Sequence, residues 1–209
     1  MPRQADESTR RRAAAVAGHK HDEPAARRAL LDESGTVRAT ALGALARMGA
    51  ISGSDLRAAA TDPDRRVRAR GAELAPANLD PGTGMPLLLS AIVDREPSVV
   101  EAACFSLGEL ERAGTPAVEA LSRVARNHRE PLCREAAVAA LGSIGDPSGL
   151  PAILDATTDK PAVRRRAVIA LAPFDGPDVD AALERALGDR DWQVRQAAED
   201  LTGRAASQA

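Results

Sequence analysis

Tyrosine is absent, and Phe105, Phe174 and Trp192 are the only aromatic residues among 209. A core built round buried rings is therefore excluded, and small aliphatic side chains have to fill the interior. Histidine occurs three times and cysteine twice. Two cysteines alone cannot complete a structural zinc site. Cys104 and Cys133 lie among Ala, Leu and Val, as buried reduced thiols do. No stretch approaches the roughly 18 uninterrupted apolar residues of a membrane helix. The opening MPRQADESTRRR has no apolar leader segment. A soluble, cytoplasmic protein with no membrane partner is the expectation. No glycine-rich phosphate loop follows a strand, and no Ser, His and Asp set falls where a repeat would bring the three together.

What is present is Ala, Leu, Val and Arg. Hydrophobic residues make up 44% of the chain, and Ala, Leu and Arg are strong helix formers. The stretch CREAAVAALGSIGDP, from Cys133 to Pro147, is one of seven variants of a single motif. The motif has a small residue at position 0, Arg at +1, a small residue (usually Ala) at +4 and Leu or Ala at +8. Residues 0, +4 and +8 fall within about 80° of one another on a helix and form one apolar stripe. Position 0 is Thr9, Val37, Val67, Val99, Cys133, Val163 and Val194, at spacings of 28 to 34 residues. Position +1 is Arg10, Arg38, Arg68, Arg134, Arg164 and Arg195, with Val100 the exception. Position +8 is Ala17, Leu45, Ala75, Leu107, Leu141 and Leu171, slipping by one residue to Leu201 in the final copy.

Between the motifs lies a second helix, often opened by Pro in its first turn, as at Pro24, Pro116 and Pro177, where the missing N–H costs nothing. The chain therefore reads as a first helix followed by six helix pairs. No pair can bury its own stripe, so stability comes from stacking, each buried Leu or Val contributing about 1.5–3 kcal/mol. The fold class is all-α, an α-solenoid, over residues 1–209 as a single repeat domain with flexible ends at 1–7 and 204–209.

The motif, preceded by acidic turns (Asp32 and Glu33, Asp62 and Asp64, Asp94, Asp159, Asp189 and Asp191) and followed by Gly-Asp-Pro as at Gly145–Pro147, resembles HEAT repeats. More narrowly it is similar to the short HEAT-like repeats first associated with phycobilisome lyases. The resemblance implies a right-handed solenoid, with the +1 arginines forming a structural ladder that pairs with the turn acids of neighbouring repeats. Repeats of this kind occur in scaffolds, lyase subunits, a hydroxylase and DNA glycosylases, so the resemblance speaks to fold more than to activity. The HEAT-like deoxyhypusine hydroxylases hold two irons with paired His-Glu motifs, and this chain has no His-Glu dipeptide. No cofactor is expected.

Candidate functional residues lie where the copies differ. Residues 76–86, PANLDPGTGMP, read as a long loop between repeats or as a hinge. The fourth copy lacks the +1 Arg and carries Glu101, Cys104, Phe105, Glu109 and Glu111. Position +2, opposite the apolar stripe, holds Arg11, Glu101, Glu135, Arg165 and Gln196, and +6 holds Phe105 and Ile169. Extra arginines cluster at Arg11, Arg12, Arg65, Arg66, Arg70, Arg165 and Arg166. Phe105 is read either as an anchor for a partner or as packing under the next repeat, and Trp192 as an end cap. His19-Lys20-His21-Asp22 reads as a turn. Residues 1–70 carry a net charge of +5, 71–130 of −4 and 131–209 of −3. The expected function is a non-catalytic scaffold binding a protein partner through its concave surface, with Arg11, Arg70, Glu101, Phe105, Glu135, Arg165 and Ile169 as the contact residues. The alternative is a nucleic-acid or other anion binder using the basic N-terminal repeats.

Overall fold

The computed structural model describes residues 6–110 and 113–203. Residues 1–5 and 204–209, and Glu111 among the residues noted in the fourth copy, lie outside it. Among the described residues there are thirteen α-helices and no strand. The motif helices are α1 (Glu7–Lys20), α3 (Gly35–Arg47), α5 (Arg65–Asn78), α7 (Pro97–Gly108), α9 (Pro131–Ile144), α11 (Pro161–Ala170) and α13 (Trp192–Thr202). Their partners are α2 (Glu23–Ala29), α4 (Gly53–Ala60), α6 (Pro81–Ala91), α8 (Gly114–Asn127), α10 (Leu150–Ala156) and α12 (Pro177–Leu187). The architecture is an all-α solenoid of helix pairs. It divides into two compact units, one ending at Ser106 and one beginning at Leu107. In the first, α1 packs on α3 and α3 on α5. In the second, α9 packs on α11 and α11 on α13.

The apolar stripe is the core. Val37, Val67, Val99, Cys133, Val163 and Val194 at position 0 are buried, as are Leu45, Leu107, Leu141 and Leu171 at +8. The first copy departs from the pattern. Thr9 and Ala13 are exposed, and α1 instead buries Ala14, Ala17 and Gly18, packing on α2 and α3. Asp6 and Glu7, assigned by the sequence to a flexible end, form the N-cap and first residue of α1, and the Asp6 side chain accepts the Thr9 N–H. His21 ends α1 in the left-handed conformation, so the His-Lys-His-Asp stretch is a helix end and turn.

The motif helices approach one another closely at a recurring pair that the apolar pattern does not show. Gly18, Gly108 and Gly142 all sit at +9, and each lies against the Ala at +7 of the following copy, Ala44, Ala140 and Ala170. A Cβ on Gly142 would stand 2.7 Å from the Ala170 Cα, so the contact requires glycine.

Residues 76–86 are a correction. They form no long loop: α5 continues through Pro76 to Asn78 and α6 starts at Pro81, leaving Leu79 and Asp80 between them. Pro76 occupies +9, where four other copies have Gly (Gly18, Gly108, Gly142 and Gly203), and it cannot donate to the Ala72 carbonyl one turn back. Ser106, at +7 of the next copy in place of Ala, is fully buried and donates its hydroxyl to that carbonyl at 2.9 Å. The helix survives its proline because a neighbouring helix supplies the missing donor.

Candidate functional site

The ladder arginines are braces. Arg38 donates through Nε and Nη2 to both oxygens of Asp62, at 2.9 and 2.7 Å, and through Nη1 to the Asp32 and Glu33 carbonyls. Arg68 does the same to Asp94 and the Asp62 and Pro63 carbonyls. Arg134 bridges Asp159 to the His128 and Arg129 carbonyls, and Arg164 bridges Asp189 to the Asp159 carbonyl. Arg10 reaches Asp32 and Glu33. In the last copy Arg195 donates to the Asp189 carbonyl. Each of these aspartates also accepts a backbone N–H at the start of its own turn. One arginine thus ties the turn before its own helix to the turn of the following repeat. The guanidinium hydrogen bonds of Arg68, Arg134 and Arg164 hold Asp94, Asp159 and Asp189 below the ordinary carboxylate value against the opposing effect of burial. At Asp62 burial is the largest influence and acts upward, but the bonds from Arg38 and the Asp64 N–H outweigh it. A phosphate track made of these arginines would first have to break this network.

Two surface features among the described residues bear on binding. In the first unit, Arg11, Arg12, Arg47, Arg66 and Arg70 line an open groove of about 770 Å³ across α1, α3 and α5. Its floor is made of small side chains, Ala15, Ala39, Ala44, Gly43, Thr36 and Thr40, and no carboxylate lines it. Gly43 makes room for Arg70, whose Nη2 would be 2.7 Å from a Cβ at that position. Arg70 also pairs with Glu73 at 2.8 Å, and Arg66 bonds Thr36 and lies 3.3 Å from Asp64. Arg47 Nη1 is 3.3 Å from His19 Nε2. In the second unit, Arg165, Ile169, Trp192, Gln196 and Leu201 line a shallower cleft between α11 and α13 of about 400 Å³.

The structure brings Arg11 and Arg70 together in the groove, and Arg165 and Ile169 together in the cleft. Glu135 faces Arg166 at 3.6 Å. Glu101 is half-buried on α7, and Phe105, one turn on, is 65% exposed, so it does not pack under the next repeat. Trp192 is 64% exposed. It is not an end cap: Val168, Ala186, Val194, Ala197 and Ala198 close that core, with Leu183 and Leu187 packed against them. Arg47, Gly43, Thr36 and Thr40 were missed as lining residues. The signal was there, since 36, 40, 43 and 47 recur at helical spacing beside the core stripe. Cys104 and Cys133 are fully buried. Among the described residues no group of His, Cys, Asp or Glu is placed to hold a metal ion, and no helix is long and apolar enough to cross a membrane.

A comparison with curated proteins finds no match. Among solved structures the fold is similar to that of the Escherichia coli protein YibA, with 19% identity, a TM-score of 0.67, and 95% of this chain and 75% of that one covered. It is also similar to the CpcE–CpcF complex of phycocyanin lyase from Nostoc sp., with 20% identity, a TM-score of 0.59, and 87% and 76% covered. An engineered protein matches at 18% identity and a TM-score of 0.61, with 87% and 97% covered. These likenesses concern the fold. The family described as HEAT repeats matches residues 85–162 and 118–201, together more than half of the chain, and with the repeated helix pairs and their glycine contacts this places the protein in the HEAT-repeat family.

Proposed function

We propose that this chain is a non-catalytic scaffold that holds a polypeptide partner on the faces of its motif helices. The observation that carries this reading is the set of large apolar side chains left uncovered there. Phe105, Trp192 and Ile169 are 65, 64 and 43% exposed in a chain with three aromatics in all. Trp192 and Ile169 share a cleft with Arg165 and Gln196, an aromatic and aliphatic anchor with a polar rim, the composition that dominates protein interfaces. Arg10, Arg38, Arg68, Arg134 and Arg164 are taken up by their aspartates, so the motif supports the stack and leaves the variable +2 and +6 positions for contact.

The experiment is a native pull-down from host lysate with the wild-type chain and with a Phe105→Ser, Trp192→Ser variant. A stoichiometric polypeptide held by the wild type and lost by the variant supports the scaffold. Recovery of no stoichiometric polypeptide, or equal recovery by both forms, counts against it. A nucleic-acid or other anion binder is the second reading, favoured by the five-arginine groove. Duplex DNA titrated at rising salt tests it, because several phosphate contacts give a steep negative slope of affinity against salt.

A further inference from the structure

We propose that the groove across α1, α3 and α5 seats an acidic segment of the polypeptide partner, its carboxylates held by Arg11, Arg12 and Arg47. This inference rests on the scaffold reading and gives that partner a chemistry. Five guanidinium groups line the groove and no carboxylate does, within a chain whose formal net charge is −2. Arg10, Arg38 and Arg68 of the same unit are matched by the ladder aspartates and Arg27 by Glu23 and Asp55, and in the groove itself Arg70 is paired with Glu73 and Arg66 lies by Asp64. Arg11, Arg12 and Arg47 have no carboxylate partner among the described residues. Like charges gathered over a floor of Ala, Gly and Thr repel one another, and an anion between them removes that cost.

The geometry favours carboxylates presented by a chain over a nucleic acid. Arginine forks match carboxylates two bonds at a time. The small floor lets an extended backbone lie close to the helices. No aromatic side chain lines the groove, so it holds no platform for stacking bases. The motif helix of the next copy in this unit, α7, carries Glu101 and no arginine. A duplex carries a negative charge about every 1.7 Å and continues past the arginines, whereas a short acidic segment ends where they end.

The test uses the full chain and fluorescein-labelled octaglutamate in low salt, with labelled octaserine and labelled oligothymidylate as comparisons. Octaglutamate binds, octaserine does not, and oligothymidylate binds more weakly. Arg11→Gln with Arg12→Gln, both exposed and therefore compatible with folding, weakens octaglutamate about tenfold or more, the loss of two charge-assisted contacts. Helix content is checked by circular dichroism in each variant. Oligothymidylate binding as tightly as octaglutamate, octaglutamate binding that ignores the Arg11 and Arg12 changes, or no octaglutamate binding overturns the proposal. Failure here with the Trp192-dependent partner still recovered leaves the scaffold standing; octaglutamate binding with no polypeptide recovered from lysate does the reverse.

Discussion

Ser106→Ala removes one oxygen and should destabilise the first unit far more than its size suggests. Ser106 is fully buried, and its hydroxyl is 2.9 Å from the Ala72 carbonyl. That carbonyl is buried in α5 one turn before Pro76, which has no N–H to give it. With alanine in place of Ser106 the acceptor is left without either donor. A buried acceptor so stranded costs about 1–3 kcal/mol, and in a chain of this length each kcal/mol lowers the melting temperature by about 2–4 °C. A double-mutant cycle isolates the cause. Pro76→Ala restores a backbone N–H at that position in a helix that already continues to Asn78, so the Ala72 carbonyl regains its own helical bond. Urea unfolding of the wild type, the two single variants and the double variant should show Ser106→Ala costing less than half as much in the Pro76→Ala background, with a coupling of about 1 kcal/mol. Equal cost in both backgrounds would refute the account and make Ser106 an ordinary filler.

The remaining predictions concern the ladder and the helix contacts. Arg134→Ala strands the largely buried Asp159 carboxylate and the His128 and Arg129 carbonyls, and should cost about 2–4 kcal/mol in urea unfolding. Arg134→Lys recovers only part of that, because an ammonium cannot make the fork. Gly142→Ala places a Cβ 2.7 Å from the Ala170 Cα, forcing α9 from α11 at about 1–3 kcal/mol. Gly84→Ala is the contrast: its Cβ would meet nothing nearer than 3.6 Å, and the helix should gain about 0.5–1 kcal/mol. Asp94, Asp159 and Asp189 have folded pKa values depressed by their arginines. The stability they contribute is therefore complete above the unfolded value of about 3.9 and is lost as pH falls through the folded values. The urea midpoint should hold from pH 7 to 5 and drop below pH 4; a midpoint unchanged at pH 3 would contradict the ladder.

Much of the fold can be read directly, because repetition states the same packing problem several times. Position 0, +4 and +8 name the buried stripe, and α1 to α13 fall close to where capping residues, prolines and the motif put them. The arginine and the acid that closes each rung are both visible as residue types, and their pairing follows from the repeat. The correction at Pro76 shows the limit of local rules. Proline and glycine say where a chain can break, and whether it does depends on a donor thirty residues away, which no local pattern contains.

Sequence by itself determined that this is a stack of helix pairs, since a helix with one apolar stripe and no aromatics has no way to bury that stripe except against copies of itself. It also marked +2 and +6 as the positions that vary. Only tertiary structure decided which variable residues meet. Arg11 and Arg70 are far apart along the chain and share a groove because α1, α3 and α5 lie side by side; Arg47 joins them through its register on α3; Phe105 and Trp192 stand exposed on their helices instead of packing into the stack. Helical periodicity is a property of one segment, whereas a surface site is made by the distances between segments, and those are set by contacts as small as Gly142 on Ala170.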